Sequence, residues 1–455
     1  MGFILLYPKF PLLVVTGTYV PVRIEDLLIA FLLLLWFLSN LKNLRHLIKQ
    51  PITQIFLLFW GIGFLSLMSA FLITYFVPYH LGILHWLRRI EDMSLFFVAA
   101  TTLKNIAQIK VFLVTILIVA VIVSVYGFGQ VYFHFPVVST TNSEFSKGLV
   151  LELSPGARPN STFAGHYDLA IFLSVVLIFI STLFFYYPKI WQKILLILTG
   201  ILSAGLLGLT AARASFAATI ISLILVFWST GKKILIVGLI IASLVILVAS
   251  PQLRHRLVAT ITVNLLSGGG PKYTLPSTLP QPSGVVNKFS SELMNASGSA
   301  TGSPKLPRDI APGEPINTTE LGVERSFNIR TDVEWPRAYM AFKKNPLLGT
   351  GYASLIDIKG NALATDNDFL RSLGETGILG TAALILCFYL ISKKIIKAIK
   401  LKQDLEKIFL IASFYSALAI LLTGTVIDVF EASKVATLLW VMLGMAWAVA
   451  SDYEL

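Results

Sequence analysis

The sequence is poor in the residues on which solubility and cofactor chemistry usually rest. Its single cysteine, Cys387, excludes an intrachain disulfide and any cysteine metal cluster, and leaves the redox compartment unread. Charged residues fill only 13% of 455 positions, about half the share of a soluble domain. A phosphate-cradling P-loop, a dinucleotide fingerprint and an HExxH helix are all absent. No nucleotide, redox cofactor or metal is expected. The start of the chain lacks the basic leader of a cleavable signal peptide: Pro8 and Lys9 interrupt its apolar stretch. What is abundant is apolar surface, with 56% hydrophobic residues and a mean hydropathy of +0.78. A chain of this length cannot hide that much apolar surface in one soluble core. The fold class is therefore an all-α integral membrane protein. A cytosolic enzyme, a secreted domain and a disordered chain are excluded.

Runs of roughly 20 apolar residues predict about twelve transmembrane helices. They fall at 2–16, 25–39, 53–77, 81–102, 111–132, 167–187, 191–210, 214–229, 233–250, 372–392, 407–427 and 433–450. The first is short and proline-broken, and 81–102 holds Arg88, Arg89, Glu91 and Asp92. The net charge of +12 lies in clusters between these runs, which is a topology signal and not a nucleic-acid-binding face. No nucleic-acid partner is expected. With the N-terminus in the cytoplasm, fifteen basic residues fall on the cytoplasmic side: Lys42, Arg45, Lys49, Lys104, Lys110, Lys189, Lys193, Lys232, Lys233, Lys393, Lys394, Lys397, Lys400, Lys402 and Lys407. Both termini are then cytoplasmic and the protein is a multi-pass component of the plasma membrane. The chain divides into an N-terminal membrane bundle of about nine helices (1–250), one large extracytoplasmic loop (251–371) and about three C-terminal helices (372–455). Within the loop, 267–320 is rich in Gly, Ser, Pro and Thr and reads as flexible. Trp335, Tyr339 and Phe342 then recur at helical spacing up to Asn345-Pro346, predicting a short amphipathic helix on the outer membrane surface.

Lysine dominates the cytoplasmic links, whereas arginine collects on the outer side: Arg23, Arg88, Arg89, Arg158, Arg213, Arg254, Arg256, Arg308, Arg325, Arg330, Arg337 and Arg371. A guanidinium fork binds phosphate bidentately and stays charged at any working pH, so converging forks suit a lipid-linked pyrophosphate. The competing reading is that some merely snorkel to headgroups. Arg213, in GLTAARASF, sits on a link of a few residues between two apolar helices, with no room to be an idle loop charge. Arg158 lies in ARPNSTFAGHYDLA, a polar stretch entering a helix, with His166 and Asp168 beside it. Arg88 and Arg89 either bind substrate or pair along their own helix with Glu91 and Asp92. In TDNDFLRSLGETGILG, Asp366 or Asn367 is a good helix N-cap. Arg371 follows on the same face, and Gly374, Gly377 and Gly380 permit close helix packing. Asp366 and Asp368 are the carboxylates available to deprotonate an acceptor hydroxyl, or else a cap and a dipole partner.

At these residues the chain resembles the bacterial O-antigen ligase and polymerase family of membrane glycosyltransferases. ARPNSTFAGHYDLA is similar to the family's Arg-x(n)-Thr-Phe segment, and LTAARASF to its small-residue/Ser-Arg turn. RTDVEWPRAYMAFKKNPLLGTGY resembles the Arg…Trp…Pro-Leu-Leu-Gly-x-Gly element, and TDNDFLRSLGETGILG the His-Asn-x-x-Leu…Glu-x-Gly-x-x-Gly element. The resemblance implies a metal-independent, inverting transfer or polymerisation of a surface polysaccharide from an undecaprenyl-pyrophosphate donor. The partners it implies are a lipid-linked oligosaccharide donor, a glycan or lipid-glycan acceptor, and membrane lipids. On it, Arg158, Arg213 and Asp366 are the catalytic candidates; Arg88, Arg89, Arg371, His166 and Asp368 are the substrate-binding ones. Asp366 stands where the ligases carry a histidine. A transporter or flippase of lipid-linked glycans, and a non-catalytic membrane scaffold, are the alternative functions.

Overall fold

The computed structural model describes residues 1–7, 11–13, 22–74, 77–137, 153, 157–261, 327–355 and 365–453. Among these the chain is helical apart from one small hairpin, Pro11–Leu13 (β1) antiparallel to Val22–Arg23 (β2). The expected helix at 2–16 is a correction. Among the described residues of that stretch, Gly2–Leu6 (α1) is helical and Pro11–Leu13 is a strand; α1 is about 7–8 Å long at 1.5 Å per residue, too short to cross a membrane. It rests on the middle of a long helix, with Gly2 against Thr115 and Val119.

The long helices follow the apolar runs closely. They are Ile24–Ser39 (α2), the short bent continuation Leu44–Lys49 (α3), Pro51–Ser69 (α4), Tyr79–Thr102 (α5), Ile106–Tyr132 (α6), His166–Tyr186 (α7), Ile190–Leu209 (α8), Arg213–Ser229 (α9), Leu235–Ala249 (α10) and Pro251–Ala259 (α11). After the large loop come Trp335–Lys344 (α12), Asp368–Ile399 (α13), Asp404–Thr423 (α14) and Ser433–Ala450 (α15). Starts are set by local chemistry: Pro51 opens α4 where its missing N–H costs nothing, and the Asn105 side chain accepts from Gln108 N at 3.1 Å to cap α6. Among the described residues, seven helices are long and apolar enough to cross a membrane, and nine if two bent pairs each form one span. Helix α5 fails on composition because of its four charged residues, and α9 is short at 17 residues.

The burial pattern is that of a membrane bundle. Central α15 is buried almost throughout, with Trp440 between Phe56 and Phe388 at ring-centroid distances of 5.5 and 5.4 Å. Peripheral α10 is the inverse: its one buried residue is Ser243, and Val248 is 70% exposed. Apolar side chains turned outward on that scale are stable only against lipid.

Helix α13 departs from regularity in a way that shapes the site. Gly377 has φ +66° and ψ −168°, so the helix is broken there. The Pro346–Gly351 turn fills the break: Ile378 N donates to Pro346 O and Thr350 N to Gly374 O, both at 2.9 Å, and Gly351 N to Glu375 O at 2.9 Å. A side chain at Gly349 (φ +68°) would strike the Glu375 carbonyl, and one at Gly377 the Leu347 carbonyl. Gly377 therefore breaks the helix, beyond the close packing expected of it, and the Leu-Gly-Thr-Gly turn satisfies the freed backbone groups. The predicted amphipathic helix is present as α12; it lays Ala338 and Ala341 on the first segment of α13, where Gly374 leaves room. The segment 267–320, expected to be flexible, lies outside the described residues.

Candidate functional site

Four chain segments bring guanidiniums together near the N-terminus of α13. The Arg158 segment is nailed down first. Ser161 N donates to Gln130 Oε1 (2.7 Å), Ser161 Oγ to Val123 O (2.8 Å), and the buried Lys434 Nζ to Thr162 O (2.7 Å). This fixes the entry to α7 and so places Arg158, His166 and Tyr167. The Arg158 guanidinium lies 5.6 Å from the centre of the Tyr167 ring, and the charges of Arg158 and Arg330 both act on the Tyr167 side chain. Arg213 opens α9 after the tight Ala211–Ala212 link, Ala211 having φ +50°. Its Nη1 donates to Thr260 Oγ1 and, at 3.5 Å, to Arg256 O, tying α9 to the end of α11. Arg256 is close enough to Arg158 and Arg213 to be repelled by both. Arg330 begins a single π turn, 330–334, ahead of α12.

Against these four guanidiniums stands Asp366, held at φ +46° and bonded to Arg330 Nη2 at 2.5 Å. Among the described residues, no other carboxylate forms an ion pair with this group. Burial, then Arg158, pulls Arg256 down to about 10, which still leaves it charged at neutral pH. His166 is buried on the same side, its ring 4.0 Å from that of Tyr167 and its Nε2 without a hydrogen-bond partner. The arrangement offers several fork-shaped donors to one anion, with Asp366 as the carboxylate that, among the described residues, forms an ion pair with the group.

A second charged group lies beside the first, on α5, α13 and the 424–432 link. Arg89 bonds Glu431 at 2.7 Å and Phe430 O at 3.1 Å. Arg371 reaches Asp428 at 3.1 Å, Glu375 at 3.3 Å and Glu431 at 3.5 Å. Arg88 pairs with Asp26 of α2 at 2.6 Å. Asp368, 3% exposed, accepts from Val429 N (2.9 Å) and Phe430 N (3.2 Å). Burial opposes ionisation of Glu431, yet Arg371 and Arg89 hold its carboxyl well below the usual range. Here each cation already has its anion.

The sequence candidates thus divide. Arg158, Arg213, Asp366 and His166 come together. Arg88, Arg89, Arg371 and Asp368 do not join them; they clasp α2, α5, α13 and the 424–432 link. The ion-pair partners of Arg88 and Arg89 among the described residues lie on other elements, while both guanidiniums also act on Asp92 of their own helix. The cap of α13 is Asn367, whose side chain accepts from Phe369 N (3.0 Å) and Leu370 N (2.9 Å). Asp366 is therefore free of capping duty. Sequence reasoning did not single out Arg256, Arg330 or Tyr167. Arg330 stands at the head of the RTDVEWP segment and Arg256 just past the ninth apolar run. Tyr167, between His166 and Asp168, carried no signal of its own.

Residues 198–385 match the family model described as O-antigen ligase. The match includes Arg213, Arg256, Arg330 and Asp366, and bears out the family resemblance read from the sequence. It supports a membrane enzyme that processes glycans. No curated protein matches the chain.

Proposed function

We propose that the chain transfers or polymerises a surface polysaccharide from an undecaprenyl-pyrophosphate-linked donor, without a metal and with inversion at the anomeric carbon. One observation carries this reading: Arg158, Arg213, Arg256 and Arg330 converge from separate segments beside Asp366, the carboxylate that pairs with them among the described residues. A diphosphate is the anion that several guanidinium forks suit, and its charge grows as the sugar departs. The arginines would bind the donor and stabilise that charge. Asp366 would take the proton of the acceptor hydroxyl as it attacks.

The site would face the extracytoplasmic side of the plasma membrane, with the fifteen basic residues at the opposite ends of the helices. In place of twelve crossings, the eleven helices of 15 residues or more would span, with α1 packed within the bundle. A cytoplasmic N-terminus rested on the first span and is not carried forward. The C-terminus stays cytoplasmic and 251–371 outside. The test is transfer by the purified chain in lipid, given an undecaprenyl-pyrophosphate oligosaccharide. Wild type should yield longer or transferred glycan. Arg213→Ala should lose about 100- to 1,000-fold, as when a preorganised charge donor is removed, and Arg213→Lys should recover only part, since a point charge does not reproduce the fork. Full activity in both variants would refute the reading.

A further inference from the structure

Glu334 closes the π turn that Arg330 opens. It is 6% exposed, and its Oε2 has no hydrogen-bond partner. Three charged groups face it: Arg330 from its own turn, Asp366 from the approach to α13, and Asp428 from the 424–432 link. The cation among them is committed elsewhere, since Arg330 bonds Asp366 at 2.5 Å. Asp428 is likewise engaged, by Arg371 at 3.1 Å. Two acids therefore compete for one guanidinium, and Asp366 holds it. A carboxylate removed from water beside two others, with an oxygen that no donor reaches, keeps its proton.

We propose that Glu334 rests as a neutral acid and acts as a positioning residue, leaving Arg330 to hold Asp366 ionised where an acceptor hydroxyl loses its proton. This rests on the transfer reaction proposed above. In that step the hydroxyl oxygen bonds to the anomeric carbon while the bond from that carbon to the phosphate oxygen breaks. The electron pair leaves with the diphosphate, and the hydroxyl proton passes to Asp366. The Asp366 side chain is 27% exposed and returns the proton to water. Glu334 keeps its own proton throughout. Once ionised, it would draw Arg330, four residues back on the same turn, away from Asp366. Burial first, and the charge of Asp366 second, push the Glu334 carboxyl up to about 9. The neutral form thus prevails at neutral pH and is lost as pH rises through that value.

Two measurements on the purified full chain test this. Difference infrared spectroscopy with labelled glutamate reads the carboxyl without reference to activity. At neutral pH the wild-type minus Glu334→Gln difference should show a protonated-acid band that bleaches as pH rises through about 9. No such band at neutral pH overturns the proposal, whether or not the chain transfers glycan. The second measurement is the pH profile of transfer, with folding checked by monodisperse elution. Glu334→Leu should cost about 10- to 100-fold through misplacement of Arg330 and Asp366. Glu334→Gln should recover most of that loss and move the alkaline limb of the profile upward. A folded, inactive Glu334→Gln, or an unmoved alkaline limb, overturns it. A wild type that shows the band but transfers nothing removes the reaction, and with it the role given to Glu334.

Discussion

Two groups of arginines lie side by side about the N-terminus of α13, and what answers their charge differs. Around Tyr167, Arg158, Arg213, Arg256 and Arg330 meet, among the described residues, one carboxylate in an ion pair, Asp366. Beside Phe430, Arg89 and Arg371 meet Glu375, Asp428 and Glu431, while Arg88 meets Asp26. The first group is half-buried and the second holds the buried Arg88 and Arg371, but residue type alone does not tell them apart. Pairing does. A guanidinium whose forks are filled by carboxylates of its own chain is a clasp between helices. A set of guanidiniums that outnumbers its carboxylates is suited to an anion brought from outside. The chain also separates the two within three residues: Asp366 belongs to the first group and Asp368, locked on two backbone N–H groups, to the second.

The largest effect expected on this comparison is at Asp366. Because Asn367 is the cap, Asp366→Asn leaves the helix start intact, and asparagine tolerates the positive φ. Loss of a general base costs about 100- to 10,000-fold in rate, so the variant should elute as folded protein, bind donor and turn over at that reduced rate. Wild-type turnover would leave Asp366 only as the partner of Arg330.

A smaller effect, of another kind, is expected in the paired group. Arg371→Met leaves Glu375 and Asp428 without their cation and Glu431 with Arg89 as its remaining guanidinium, and breaking a buried pair on one side costs about 3–5 kcal/mol. The thermal midpoint in detergent should fall, while the protein that remains folded keeps its specific activity. Glu431 adds a pH signature. Its folded carboxyl is depressed by Arg371 and Arg89, so its stabilisation is present above the ordinary glutamate value and is lost as pH falls through the depressed one. Glu431→Gln should flatten the acid side of the stability curve. An unchanged midpoint in Arg371→Met would break the comparison by showing that the clasp does not hold the fold.

How much of this was legible in the sequence depended on distance along the chain. Arg213 could be found because its link is too short for an idle charge, and Arg158 because a polar stretch interrupts apolar runs. For Arg88, Arg89 and Arg371, expected among the substrate-binding residues, the sequence hid most of the partners: Asp26 is 62 residues from Arg88, Glu431 is 342 from Arg89, and Asp428 is 57 from Arg371, with only Glu375 at helical spacing from Arg371. Helical spacing reveals only neighbours three and four residues away. The same limit hid the break at Gly377, which depends on the Pro346–Gly351 turn entering the helix. Apolar runs marked the long helices from α2 onward but not the short α3 and α11, and hydropathy overrode the chain-breaking prolines at 2–16.

The claim that the two groups differ in kind is tested most directly by equilibrium binding of undecaprenyl diphosphate, without a glycan, to the purified chain. Charge-assisted hydrogen bonds are worth about 1.5–3 kcal/mol each, so Arg158→Ala and Arg213→Ala should each weaken binding by at least about tenfold. Folded Arg371→Met should bind as wild type does. Binding that survives in Arg213→Ala and is lost in folded Arg371→Met would contradict the account.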